Sequence, residues 1–217
     1  MTLTALFPII MYDTILDVPE DVQKTMIGYF EDFYARVKDK AKPPNITGDY
    51  WGESYISNYP EFSWLNEQLS LHIKKYLEGI KVDHSELSIF VQKSWPVICS
   101  SGGGEVWRHF HKNSCISAVF YLQVDDTNDS GSLIFYPPSN YTHLSIPVSY
   151  NVEDFYYSKQ KPFNHKLIIF PSSLEHEVKQ YTGNVNRYSI SFDITIVTNN
   201  LHHNENHITN PGLWTLI

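Results

Sequence analysis

Three histidines and one arginine are the residues of this chain best suited to chemistry. His109-Phe110-His111 closes a segment with strand-like alternation. Side chains two apart on a strand share a face, so both imidazoles can enter one interior while Phe110 packs outward. Imidazole is the commonest ligand for iron, zinc, copper and nickel, and two at this spacing can take neighbouring positions on one ion. Alone the motif is weakly selective, because the chain holds 10 His. His202, His203 and His207 lie in a polar, Asn-rich tail, and His72, His143 and His165 lack histidine neighbours. His176 is different. It follows an apolar strand and a Pro-Ser turn, in Lys166-Leu-Ile-Ile-Phe-Pro-Ser-Ser-Leu-Glu-His176. Arg187 comes next, on a strand where Arg187, Ser189 and Ser191 share one face and Tyr188, Ile190, Phe192 and Ile194 the other. A guanidinium beside a hydroxyl is what a buried carboxylate wants. The plainer reading of Arg187 is a surface cation on an edge strand.

The elements that must position these residues are readable from periodicity. Asp17 before Pro19 reads as a helix start, followed by Val22, Met26, Phe30, Phe33 and Val37 at helical spacing. Lys42-Pro43-Pro44 ends that pattern. A second helix begins near Pro60-Glu61, with Phe62, Leu65, Leu69, Ile73, Tyr76 and Leu77 as its stripe and Gly79 at its end. From Leu87 the period becomes two. Strands are expected at Leu87–Ser94, Val106–His111, Cys115–Val124, Ser132–Tyr136, Lys166–Phe170, Glu175–Lys179 and Arg187–Val197, separated by turn signals such as Gly102-Gly103-Gly104 and Thr182-Gly183-Asn184. Many short punctuated strands imply a closed or sandwiched β architecture. The expectation is one α+β domain: a helical elaboration over 1–85, a jelly-roll core over 86–197 with the helices on one sheet, and a tail over 198–217.

Composition limits the function classes. Hydrophobic residues are 42% of the 217, enough for a real core. The net charge of -8, with Lys and Arg scattered, disfavours a nucleic-acid substrate. Cys99 and Cys115 make no disulfide framework, and Cys115, inside an apolar run, reads as a buried small hydrophobe. The opening MTLTALFPIIMYD is broken by Pro8 and Asp13, which argues against a signal peptide, and no apolar stretch spans a bilayer. A reducing cytoplasm is the default location.

The order of motifs resembles the iron and 2-oxoglutarate-dependent oxygenases, and within them the group common in bacteriophages and marine bacteria. The resemblance is carried by H-x-H, a strand ending Phe120-Tyr121-Leu122, Gly131-Ser-Leu-Ile-Phe135, Phe170-Pro-Ser-x-Leu-x-His176 and Arg187-x-Ser-x-Ser-Phe192. Upstream, Leu6-Phe7-Pro8, Phe62-x-x-Leu65 and Ser94-Trp95 fit more loosely. The resemblance implies a double-stranded β-helix with Fe(II) at one mouth and 2-oxoglutarate chelating it. It implies that Arg187, helped by Ser189, holds the far carboxylate, and that decarboxylation to succinate and CO2 is coupled to oxidation of a substrate C–H bond with O2. His109, His111 and His176 are then the metal ligands and catalytic residues. The broad superfamily places Asp or Glu where this chain has His111, so a second ligand set stays open: His111 and His176 with Asp125, Asp126 or Asp193, of which Asp193 shares the Arg187 face. Tyr121 and Asn113 are candidate co-substrate contacts. Trp107 and Phe135 read as core, and the connection Pro137–Pro162 as a lid.

Competing functions are a metal- or ligand-binding jelly-roll module without turnover, a structural jelly roll, and a zinc hydrolase using Glu175 or Glu177 as base. The substrate class expected is a small molecule or a protein side chain.

Overall fold

The computed structural model describes residues 8–40, 45–100, 103–127, 129–138, 157–199 and 210–215. Two antiparallel sheets face each other. The larger contains β1 (Tyr12–Ile15), β2 (Asn45–Thr47), β3 (Leu87–Cys99), β5 (Ile116–Gln123), β8 (Lys166–Pro171) and β10 (Arg187–Thr198), in the order β1-β8-β5-β10-β3-β2. The smaller contains β4 (Gly104–His109), β6 (Leu133–Phe135), β7 (Ser158–Gln160) and β9 (His176–Tyr181), in the order β4-β9-β6-β7. Helices α1 (Glu20–Val37) and α2 (Ser63–Gly79) precede most of the strands. This is the α+β jelly roll expected from the period change.

Strand alternation divides the interior into two cores. On β10, Tyr188, Ile190, Phe192 and Ile194 face the helices, with Ile116, Ala118, Phe120 and Leu122 of β5 and Leu167 and Ile169 of β8 beside them. Met26, Phe30, Phe33 and Val37 of α1 and Leu65, Leu69, Ile73, Tyr76 and Leu77 of α2 complete that cluster, so both helices lie on the outer face of the larger sheet. Phe30 stacks on Tyr188 at 4.9 Å between ring centroids. The second core lies between the sheets. There Trp95, Val97, Cys99, Tyr121, Ile168 and Phe170 of the larger sheet meet Leu133, Phe135 and Tyr181 of the smaller.

Several features differ from the sequence reading. The segment before residue 86 is not wholly helical: β1 pairs with β8, and β2 pairs with β3. These strands have four and three residues, too short to show a period. Helix α1 starts on Pro19 without a side-chain cap, so the expected Asp17 cap is not made. Strand β3 runs on to Cys99 through Pro96, past the expected end at Ser94. Cys115 is exposed, because it precedes β5 and its backbone N–H donates to Ile194 O outside the apolar alternation. His72 is buried and bonded to Tyr12 Oη at 2.6 Å. The expected helix stop at 42–44, most of the proposed lid (139–156), His143, Leu6, Phe7 and the tail histidines at 202, 203 and 207 lie outside the described residues. No described helix is long and apolar enough to cross a membrane.

Phe30 is fully buried at the junction of helix and sheet. Phe30→Ala is expected to destabilise the protein by about 3–5 kcal/mol, as a core aromatic truncation does, measured as a lowered midpoint of urea unfolding.

Candidate functional site

His109 and His176 are directly opposite partners of the β4–β9 ladder. Cross-strand partners on one face have closely spaced side chains, so this register alone brings two imidazoles together. Their ring centroids are 4.4 Å apart. His111 arrives differently. Strand β4 ends at His109, and His111 sits on the following connection. Its backbone N–H donates to Ser172 O at 3.0 Å, which ties the connection to the turn after β8. His111 then lies 5.2 Å from each of the other rings and stacks parallel to His176. The candidate ligand atoms of the three all fall within 4.8 Å of one another.

The hydrogen bonds of these rings fix what they offer. His109 Nδ1 lies 2.7 Å from Trp107 O, and His176 Nδ1 lies 2.8 Å from Leu174 O. A carbonyl only accepts, so both Nδ1 atoms carry the proton and both Nε2 lone pairs are free. His111 Nδ1 lies 2.7 Å from Asp193 Oδ1 and is engaged in the same way. Three imidazoles with Nδ1 anchored and Nε2 free form a ligand set for a transition metal. Burial, joined by the nearby imidazoles, lowers the His176 pKa to about 4, outweighing the bond to Leu174 O. Burial also lowers that of His109, against the opposing effect of Trp107 O. Both are therefore neutral and available as ligands at neutral pH.

Arg187 forms the other end of the site. It is 1% exposed and, with Ser189, Tyr121 and the three histidines, lines a cavity of about 630 Å³. Its Nη1 donates to Gly131 O at 2.8 Å and its Nη2 to Cys99 Sγ at 2.8 Å, while its buried Nε has no partner among the described residues. The rings of Tyr121 and Tyr181 flank the guanidinium, with centroids at 5.7 and 5.5 Å. Burial pushes the Cys99 thiol up despite the adjacent guanidinium, so it stays neutral and does not balance the charge. No carboxylate among the described residues pairs with Arg187. A buried guanidinium without a counter-ion costs several kcal/mol, and a ligand carboxylate would offset that cost. Tyr121 keeps its proton, because burial pushes its pKa up to about 12. It therefore presents a neutral O–H to the cavity.

Of the residues read from sequence, His109, His111, His176, Arg187, Ser189 and Tyr121 meet in this one cavity. Asn113 does not: it is exposed on the connection after β4, because that strand stops before reaching it. Asp193 is not a fourth member of the imidazole cluster; it stands behind His111 and accepts its Nδ1–H. Asp125 is tied to Thr127 and Asn184, and Asp126 to Asn164, on loops away from the cavity lining. Glu175 and Glu177 alternate with His176 and point away from it. Glu175 pairs with Arg108, and Glu177 with Tyr136 and Lys179, so neither is free to act as a hydrolase base. Phe135 is core as expected, but Trp107 is 81% exposed and lines the cavity. An extra residue on β4 between Val106 and His109, which oppose Val178 and His176 on β9, breaks the alternation there and leaves Trp107 at the exposed rim of the mouth.

Gly131 was missed as a site residue. Its φ is +72°, and a Cβ there would meet Arg187 Nη1 and Tyr181 Cδ2 at 2.9 Å. The glycine lets its own carbonyl approach the guanidinium. Cys99, Tyr181, Ser117 and Ser172 were also missed. Their roles depend on contacts across strands distant in sequence, and no local pattern marks them.

Residues 93–193 match the model of the family described as "Putative 2OG-Fe(II) oxygenase". No curated protein matches the chain by sequence. Among solved structures, a prolyl hydroxylase from Trichoplax adhaerens, in complex with a hypoxia inducible factor peptide fragment, superposes with TM-score 0.55 at 14% identity. The alignment covers 85% of this chain and 83% of that one. AviO1 from Streptomyces viridochromogenes gives TM-score 0.59 at 12% identity, covering 85% and 89%. HygX from Streptomyces hygroscopicus with iron bound gives 0.52 at 10% identity, covering 85% and 81%. At these identities the likeness establishes the shared jelly-roll fold.

The neutral, buried His176 has a consequence for the metal-free protein. Its folded pKa lies below the ordinary value of 6.5, at about 4. The unfolded chain therefore takes up a proton first as pH falls. The associated stability is complete above pH 6.5 and is lost as pH falls through 4, by roughly 3 kcal/mol in all. Urea unfolding at a series of pH values measures this, and His176→Gln is expected to flatten the dependence in that window.

Proposed function

We propose, taking residues 93–193 as a 2OG-Fe(II) oxygenase domain, that this protein is an iron- and 2-oxoglutarate-dependent dioxygenase acting as a hydroxylase. The observation that carries this reading is the pairing, in one cavity, of three convergent imidazoles with a buried guanidinium that has no carboxylate partner among the described residues. A metal site alone needs no such guanidinium. A carboxylate-binding site alone needs no such histidines. A dicarboxylate that also chelates a metal uses both.

His109, His111 and His176 would hold the iron through Nε2, leaving the rest of its coordination sphere to ligands from the cavity. Iron with 2-oxoglutarate supplies oxidative decarboxylation to succinate and CO2, with one oxygen atom of O2 entering succinate and the other a substrate C–H bond. Arg187 receives the far carboxylate by charge-assisted hydrogen bonds, and Gly131 and Cys99 hold its guanidinium in place. Tyr121 adds a protonated hydroxyl at the same end. Ser189 lines that end with its hydroxyl 3.4 Å from Val97 O, a weak bond readily exchanged for a ligand oxygen. Leu133, Phe170 and Val178 line the walls and keep water from the co-substrate. The substrate, a small molecule or a protein side chain, enters past Lys93, Trp95 and Trp107. Asn113, exposed away from the lining, takes no part.

Anaerobic titration tests this. Fe(II) and 2-oxoglutarate together are expected to give a visible absorption band that neither gives alone, and air is expected to release succinate. Arg187→Ala is expected to weaken 2-oxoglutarate binding about a hundredfold or more, in line with removal of one partner of a buried charge pair, while Fe(II) affinity is kept. Gly131→Ala is expected to weaken it in the same direction by displacing the guanidinium. Unchanged 2-oxoglutarate affinity in Arg187→Ala would overturn the assignment.

A further inference from the structure

Three neutral imidazoles give a metal less negative charge than two imidazoles and a carboxylate. The structure holds a carboxylate at the next position out. Asp193 Oδ1 lies 2.7 Å from His111 Nδ1, and both side chains are 15% exposed. Among the described residues, the other two rings have only backbone carbonyls behind them, at Trp107 and Leu174. His111 is therefore the one imidazole of the three anchored to a charged group.

Asp193 is itself held in place. Ser117 Oγ donates to Asp193 Oδ1 at 3.2 Å, and the hydroxyls of Ser117 and Ser172 are 2.9 Å apart. Ser114 adds a third hydroxyl, 2.9 Å from that of Ser172. His111 N–H donates to Ser172 O. The contacts close a ring: His111 side chain, Asp193, Ser117, Ser172, and back to the His111 backbone. Ser117 and Ser172 are buried, so water does not compete for these bonds. The ring matters because His111 has left the regular strand and owes its position to these contacts.

We infer that Asp193 is a positioning residue that orients His111 and delivers through its imidazole the negative charge the three-histidine set lacks. A carboxylate accepting Nδ1–H makes Nε2 a stronger donor and fixes the ring's rotation. Asp193 thus takes the electrostatic part of the carboxylate that the broader ligand pattern places at position 111, without touching the metal. The inference rests on the metal site proposed above.

The probe is Co(II), added to the full-length apo protein without 2-oxoglutarate and followed by calorimetry and visible absorption. The wild type is expected to bind one equivalent. Asp193→Ala is expected to weaken binding by about 10–100-fold and to shift the Co(II) bands. Asp193→Asn keeps an acceptor for Nδ1–H but removes the charge. It is expected to bind with intermediate affinity and shifted bands, and it covers the case in which Asp193→Ala does not fold. Wild-type affinity and wild-type bands in Asp193→Asn would overturn the charge role. The same result in Asp193→Ala would overturn the inference entirely. Failure of the wild type to bind Co(II) would instead count against the metal site itself, so the two readings fail separately.

Discussion

Strand β10 has two faces that cannot be exchanged, and the remainder of the molecule keeps them apart. Tyr188, Ile190, Phe192 and Ile194 go under the helices, while Arg187, Ser189 and Ser191 line the cavity between the sheets and Asp193 bonds His111 beside it. A one-residue slip would bury a guanidinium and a carboxylate among Phe30 and Leu65 and turn four apolar side chains into the cavity. Pairing on both sides guards against this. Strand β3 pairs with β10 from Arg187 to Thr198, and β5 pairs with it from Tyr188 to Ile194. The helices contribute by covering the apolar face, which would otherwise be the exposed side of an open sheet.

The sequence made this division legible because strand alternation is a local signal. The alternation after Arg187 assigned both faces of β10, and the apolar stripes of both helices were read residue by residue. The Pro-Ser turn before His176 and the Arg-x-Ser pattern located both ends of the site. What stayed hidden was long-range or irregular. His111 was expected inside a strand with His109. It arrives instead on a connection pinned by Ser172 and Asp193, and its inward direction comes from tertiary contacts. Asn113 was carried along by the same assumption of a continuing strand and is exposed. Trp107 was assigned to the core, yet its place on β4 puts it at an uncovered mouth. Gly131 lay inside a motif that was quoted, but the need for a positive φ beside a guanidinium emerges only when β10 meets the turn before β6.

The site separates two electrostatic tasks. At the imidazole end, burial removes protons from ligands that must be neutral, and backbone carbonyls set the tautomer of two of the three rings. At the guanidinium end, burial leaves a fixed cation flanked by aromatic rings and facing neutral donors. The cavity thus offers lone pairs at one end and a positive charge at the other. That polarity suits an anion whose second end can chelate.

The position of His109 has a further consequence. Among the described residues, strand β4 is the border of the smaller sheet and has only β9 for a neighbour there. Border strands peel away more readily than central ones. An ion shared by His109, His176 and His111 would rivet that border to the strand beside it and, through Asp193, to the centre of the larger sheet. Loss of the ion and loosening of the border would then be a single event, and the lifetime of the loaded site would be set by how often β4 lifts.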